Sequence, residues 1–156
     1  ISHAFLQALE KGGAVGGDSG WDPMHLLLRS DDSQLLGALP HYLKHHSYGE
    51  YIFDHSWANA YAQAGGAYYP KSLSAVPFTP ATGPRLLTDS DDPAVKATMA
   101  RGLVSLVDQH QLSSAHINFL PADDARLLAD AGWLIRSGTQ FHWHNHGYED
   151  FDGFLQ

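Results

Sequence analysis

The apolar residues of this chain change period several times, and each change predicts an element. Ser2 ahead of Ala4-Phe5-Leu6-Gln7-Ala8-Leu9-Glu10 predicts a short N-capped helix, stopped by Gly12-Gly13. After a loop at Gly16-Gly17-Asp18-Ser19-Gly20, the apolar runs 25–29 and 35–43 flank Ser30-Asp31-Asp32-Ser33, the signature of a hairpin. Pro40 marks an edge or a bulge in its second arm. From Ser56 the period lengthens: Trp57, Ala60, Tyr61 and Ala64 share one face of a helix that Gly65-Gly66 ends, a stripe expected to face the core. Leu73 to Phe78 reads as a strand whose pairing Pro77 limits. Asp92 as cap and Pro93 at the first helical position open the clearest helix, running to His110, with Val95, Met99, Leu103, Leu106 and Val107 on its core stripe. Ala115 to Leu120 predicts a strand and Pro121 to Ala131 a helix ended by Gly132. Trp133 to Ile135 and Gln140 to His144 predict two last strands around Ser137-Gly138.

This order predicts an α/β fold with a mixed, largely antiparallel sheet and flanking helices. Segments 35–43, 73–78 and 115–120 are expected in one sheet, with the 93–110 helix packed on it. No internal repeat or low-complexity segment interrupts the pattern.

Composition narrows the function. A chain of 156 residues, 44% hydrophobic, is one domain able to bury roughly 70% of the surface its unfolded form exposes. Seventeen acidic against nine basic residues give a net charge of -8, and with no Lys/Arg run the footprint of a duplex nucleic-acid binder is absent. With no cysteine, disulfides, thiol catalysis and thiolate metal sites drop out, and a cytoplasmic location is the default expectation. No apolar run approaches the roughly 20 residues of a membrane span. The chain begins at Ile1 and reads as a piece cut at both ends.

Residues 45–87 crowd aromatics, ionisable groups and Gly/Pro punctuation. Tyr48, Tyr51, Phe53, Trp57, Tyr61, Tyr68 and Tyr69 offer stacking surface, and Glu50, Asp54, His55, Lys71 and Arg85 offer charge, the usual lining of a concave substrate site. Each has a plainer reading. Asp54 stands just before the helix that Ser56 opens and can assist its cap. Lys71 is either a partner for a substrate carboxylate or a solvated loop lysine. Ala81-Thr82-Gly83-Pro84-Arg85 is either an anion-binding turn or a tight turn with a surface arginine. On a strand, His142, His144 and His146 would project to one side in steps of about 7 Å, too open for all three to reach one ion, so no metal is assigned. His41, His45 and His46 read as polar residues at a strand end and loop.

Three motifs then carry a resemblance: Tyr42-Leu43-Lys44-His45-His46-Ser47-Tyr48-Gly49-Glu50-Tyr51-Ile52-Phe53-Asp54, the stretch from Tyr69-Pro70-Lys71-Ser72 to Thr79-Pro80-Ala81-Thr82-Gly83-Pro84-Arg85, and Gln140-Phe141-His142-Trp143-His144-Asn145-His146-Gly147-Tyr148. In this order they resemble a bacterial family of FemAB-like N-acyltransferases of the GNAT superfamily, over essentially the whole chain. The resemblance implies a GNAT-like fold and transfer of an acyl or aminoacyl group to an amine, with acyl-CoA or aminoacyl-tRNA as donor and a peptidoglycan precursor as a candidate acceptor. Such relatives have two GNAT-like halves. Residues 1–156 resemble the first, expected to bind the acceptor, with a second half as its partner.

An amine acceptor must lose a proton before it attacks a carbonyl, so a base near neutrality is wanted. Asp54 is the catalytic candidate, with Glu50 and His55 as the other choices. Tyr51, Lys71, Thr79, Arg85 and His142 are the candidates to face the substrate. GNAT enzymes hold the CoA pyrophosphate on backbone N–H groups of a Gly-rich turn at a helix start. Here Asp89, Asp91 and Asp92 crowd that place, so no tight acyl-CoA binding by this chain is expected. The alternative is a GNAT-like binding or interaction domain without chemistry.

Overall fold

A computed structural model describes residues 2–90 and 92–155. Helix α1 (His3–Lys11) opens the chain as its sequence dictates: the Ser2 hydroxyl accepts from the Phe5 N–H, and Leu6 is its buried residue. A 3-10 turn at Gly17–Ser19 leads into β1 (Trp21–Pro23), followed by β2 (Leu26–Arg29), β3 (Leu35–Leu39) and β4 (Tyr42–Lys44). Helix α2 (His55–Gln63), β5 (Lys71–Ser74), β6 (Leu87–Thr88), α3 (Pro93–Gln109), β7 (Ala115–Ile117), α4 (Ala122–Asp130) and a final turn of helix, α5 (Phe151–Phe154), complete the order.

The strands form two sheets. One has the order β1-β4-β5-β7, antiparallel except for the parallel β5–β7 pair, and the other has the antiparallel order β2-β3-β6. The mixed α/β, mostly antiparallel architecture with flanking helices is therefore present. The segment expected as one strand over 35–43 is divided between the sheets, however, and Pro40 is the cause. Lacking an N–H, it cannot continue the ladder, so the chain turns a corner there. Bonds from the Met24 N–H to the His41 carbonyl (2.9 Å) and from the Ser74 hydroxyl to the Pro40 carbonyl (2.7 Å) hold that corner.

Two apolar clusters match the two sheets. Leu39, Leu86, Met99, Ala100, Leu103 and Leu128 bury together where α3 packs on the β2-β3-β6 sheet and α4 packs on α3. Gly37 lets α3 approach: a Cβ there would lie 2.6 Å from the Met99 sulfur. The second cluster is Val15, Trp21, Tyr42, Leu73 and Ala75.

Four expectations need correcting. Strand 73–78 is β5 at 71–74, after which the chain turns: the Thr79 N–H bonds the Val76 carbonyl and Phe78 takes a φ of 56°. Strand 115–120 ends at Ile117, with Phe119 at a φ of 57°. Residues 133–135 and 140–144 form no strand; no backbone ladder reaches them, and Leu134 and Phe141 are almost fully exposed. The α2 face bearing Trp57 and Tyr61 is not core, since α2 has no buried residue and both rings are exposed. Among the described residues, no helix is long and apolar enough to cross a membrane.

Candidate functional site

The chemistry gathers where the loop of residues 45–54 passes over β4 and β5. Three ties pin that loop: the Trp21 indole N–H donates to the Tyr48 carbonyl (3.1 Å), Lys44 Nζ donates to the same carbonyl (3.3 Å), and the Phe78 N–H donates to the Gly49 carbonyl (3.2 Å). Gly49 has a φ of 77°, and a Cβ on it would lie 2.6 Å from the Phe78 ring, so a glycine is required at this turn. The next residue, Glu50, is thereby turned inward, and Tyr51, at a φ of 56°, is turned outward and half exposed.

Inside the loop lies Lys71. It stands opposite Lys44 in the β4–β5 ladder, which places two cationic side chains on one sheet face, both fully buried. Like charges directly opposite repel, and the surroundings answer each separately. Lys44 Nζ lies 3.8 Å from the Trp21 ring centroid, a cation–π contact, and also donates to the Gly20 carbonyl (3.2 Å). Burial, and after it the Lys71 charge, bring Lys44 down to about 8, against the pull of Glu50.

Lys71 Nζ donates to Asp54 Oδ2 (2.6 Å), Ser47 Oγ (2.8 Å) and Glu50 Oε2 (2.9 Å), using all three ammonium hydrogens. The Tyr68 hydroxyl also donates to Asp54 Oδ2 (2.7 Å), and Ser47 Oγ lies 2.8 Å from the Tyr69 hydroxyl. Both carboxylates are buried, and among the described residues Glu50 Oε1 and Asp54 Oδ1 have no hydrogen-bond partner. The two acids titrate in opposite directions. Burial raises Glu50, and its single bond and charge contact with Lys71 do not offset this. Burial acts on Asp54 in the same sense, but hydrogen bonds from Lys71, Ser47 and Tyr68 outweigh it and hold the carboxyl at about 2. Burial, then the bond to Asp54, raises the Tyr68 hydroxyl.

Asp54 occupies the N-cap position of α2, yet its side chain makes no capping bond; it is committed to Lys71 and Tyr68. Helix α2 begins at His55, so Ser56 is not its cap. Lys71 is neither a loop residue nor solvated. Arg85, read as a surface arginine or an anion binder, is buried, and its guanidinium donates to the carbonyls of Ala81 (2.7 Å) and Gly83 (2.8 Å). Thr79 and Arg85 line one hollow of about 320 Å³, apart from the Lys71 cluster in their bonding. His142 is exposed; its Nε2 lies 3.1 Å from Gln140 Oε1, and Gln140 Nε2 donates to the Pro80 carbonyl (2.8 Å). These contacts join Asp54 with Lys71, and place Thr79 with Arg85, while Tyr51 and His142 lie on the surface.

Lys44 and Ser47 carry no role in the sequence reading, and Tyr68 enters it only as stacking surface rather than as a donor to Asp54. The signal that marks Lys44 and Lys71 is a lysine flanked by strand-forming apolar residues, as in Tyr42-Leu43-Lys44 and Lys71-Ser72-Leu73. Around the cluster, Tyr48, Tyr51, Phe53 and Trp57 expose their rings.

The start of α3 is a poor seat for a pyrophosphate. Pro93 has no N–H, and the Ala94 N–H already donates to the Asp92 carboxylate (2.8 Å), itself an anion at that helix end. Asp91 lies outside the described residues. Among the described residues, no three His, Asp or Glu side chains gather as a metal-holding group.

No curated protein and no solved structure matches the chain. Its sequence does match, across residues 1–156, the FemAB-like family described as peptidoglycan biosynthesis/recognition. Because that match runs the full length, through the loop that builds the Lys71 cluster and through β5, the chain belongs to the FemAB-like family.

Proposed function

We propose that this domain binds an amine-bearing acceptor of the peptidoglycan type for N-acyl or aminoacyl transfer, and that Glu50 rather than Asp54 is its base. The observation that carries this reading is the pair of unequal carboxylates on Lys71. An acid held at about 2 is a poor proton acceptor near neutrality, whereas one raised by burial is closer to the value general-base catalysis wants. Glu50 Oε1 has no partner and is the atom to take the proton of the attacking amine. Asp54 then acts through Lys71, fixing the ammonium that orients Glu50. The exposed rings of Tyr48, Tyr51, Phe53 and Trp57 supply stacking surface for the body of a sugar-peptide acceptor.

The donor in this reading is an acyl-CoA or an aminoacyl-tRNA, held mainly outside residues 1–156 by a second GNAT-like half. The crowded α3 start supports that division of labour. A second reading, a binding domain without chemistry, is favoured by one observation: Glu50, Asp54 and Lys71 are almost wholly inaccessible. Transfer of a labelled acyl or aminoacyl group to a peptidoglycan-derived amine by the full-length protein separates the two. Turnover that a Glu50→Gln substitution abolishes supports the first reading, and acceptor binding with no turnover from either donor supports the second. Calorimetry of this chain with acetyl-CoA is expected to show nothing tighter than about millimolar, on the order of -4 kcal/mol; micromolar binding would refute the division of labour.

A further inference from the structure

Arg85 presents a different problem from Lys71. It is buried to 1% exposure, yet among the described residues no carboxylate pairs with it. Its bonds go to backbone carbonyls of its own loop, at Ala81, Gly83 and, at 3.5 Å, Pro84, and among the described residues its Nε has no partner. A guanidinium taken out of water without a counter-charge is costly, and carbonyl dipoles return only part of the lost hydration. Burial alone moves its titration, downward, with no opposing charge beside it.

The arginine forms part of the wall of a hollow of about 320 Å³, whose other walls include Ser2, Phe5, Val76, Thr79 and Thr82. That size is at the lower end of small-molecule sites. Ser2 is the N-cap of α1, a nine-residue helix with no acid in its first turn, so the positive end of its dipole borders the same space. Among the described residues, no acidic side chain lines the hollow. A buried, unpaired cation, a helix N-terminus and hydroxyl groups around one concavity make a combination suited to an anion.

We propose that this hollow is a binding site for a small oxyanion group, a carboxylate or a phosphate, with Arg85 as its counter-charge. Binding there is independent of the transfer reading, because it can be measured without turnover and requires nothing of the Lys71 cluster.

Melting of the whole chain in chloride, acetate and inorganic phosphate at equal ionic strength is the test. A saturable rise in melting temperature with acetate or phosphate, over the chloride baseline, is expected. Arg85→Gln should weaken the apparent affinity about tenfold or more, the scale of one charge-assisted hydrogen bond. Should that variant not fold, Thr82→Asp gives an independent answer. A carboxylate at the wall of the hollow should supply the missing counter-charge, raising the melting temperature in chloride and abolishing the anion response. Two further arms identify the source: a short N-acetylated dipeptide against its C-terminal amide for a carboxylate, and pyrophosphate for a phosphate. A flat response to every one of these anions, or a response retained in full by Thr82→Asp, would overturn the proposal.

Discussion

Lys71 and Arg85 are cations buried to the same degree in one small domain, and their surroundings differ completely. Lys71 has two carboxylates, a serine hydroxyl and no unused hydrogen. Arg85 has backbone carbonyls and an unpartnered Nε. The first is a closed ion cluster that locks the 45–54 loop onto β5, and the second is charge in need of a partner. Burial alone therefore says little about a charged residue's role; what distinguishes the two is which groups complete its hydrogen bonding and whether they carry opposite charge.

The largest effect expected from this contrast is on stability. Lys71→Met leaves Glu50 and Asp54 buried together without their cation, a change that typically costs about 3–5 kcal/mol. At roughly 2–4 °C per kcal/mol for a chain of this size, the melting temperature should fall by about 10 °C or more. Calorimetry or far-UV melting checks it, and a shift below a few degrees would mean the cluster is not closed as described.

Acid titration reports which buried groups stay neutral. His41 and His116 are both brought down to about 4, mainly by burial. The Nδ1–H of His41 donates to the Met24 carbonyl (2.9 Å), which leaves Nε2 to accept from the Ser72 hydroxyl (2.7 Å). A base depressed in the folded state gives stability that is complete above the unfolded value of 6.5 and is lost as pH falls through 4. Each histidine should remove on the order of 3 kcal/mol over that window. Asp54, depressed from 3.8 to about 2, adds its own loss below that. Glu50 works oppositely: raised in the fold, it gives stability that is present below 4.5 and lost as pH rises through its folded value. Melting curves from pH 7 to 3 should decline mostly between 6.5 and 4, and His41→Asn should flatten that limb.

Arg85→Met should cost less than Lys71→Met, about 1–2 kcal/mol, since it frees carbonyls but removes a lone buried charge. A loss equal to that of Lys71→Met would erase the distinction between the two centres. Smallest of all, Trp57→Ala on the exposed α2 face should change stability by no more than about 0.5 kcal/mol, while weakening acceptor binding if that ring is part of the docking surface.

Periodicity made the helices legible. The α3 stripe is core at Met99, Leu103 and Leu106, and the Ser2 and Asp92 caps bond as their positions dictate. Periodicity failed for α2, where Trp57 and Tyr61 obey helical spacing but both rings stay exposed, Tyr61 meeting Tyr68 edge-on at 6.0 Å; spacing fixes a face, not its neighbour. It failed again at 133–144, where an alternating pattern finds no strand to pair with. The site was half legible. Asp54 and Lys71 were singled out, but that they touch across 17 positions depends on the Gly49 turn and the β4–β5 register, neither of which has a local signature. Arg85 looked like a surface residue because nothing in Thr82-Gly83-Pro84-Arg85 announces that its side chain folds back on its own loop.

In the function proposed above, the Lys71 cluster is a working centre with Glu50 as base. It is tested by the pH dependence of kcat for Glu50→Gln in the full-length protein, with folding verified by its melting temperature. Glutamine can still accept from Lys71 but cannot take a proton. With Glu50 as base, kcat should fall about 10²- to 10⁴-fold with KM nearly unchanged, and the rising acidic limb of the profile should vanish. A variant that folds and retains the parent rate and pH profile would contradict it, leaving the cluster as a device that holds the loop alone.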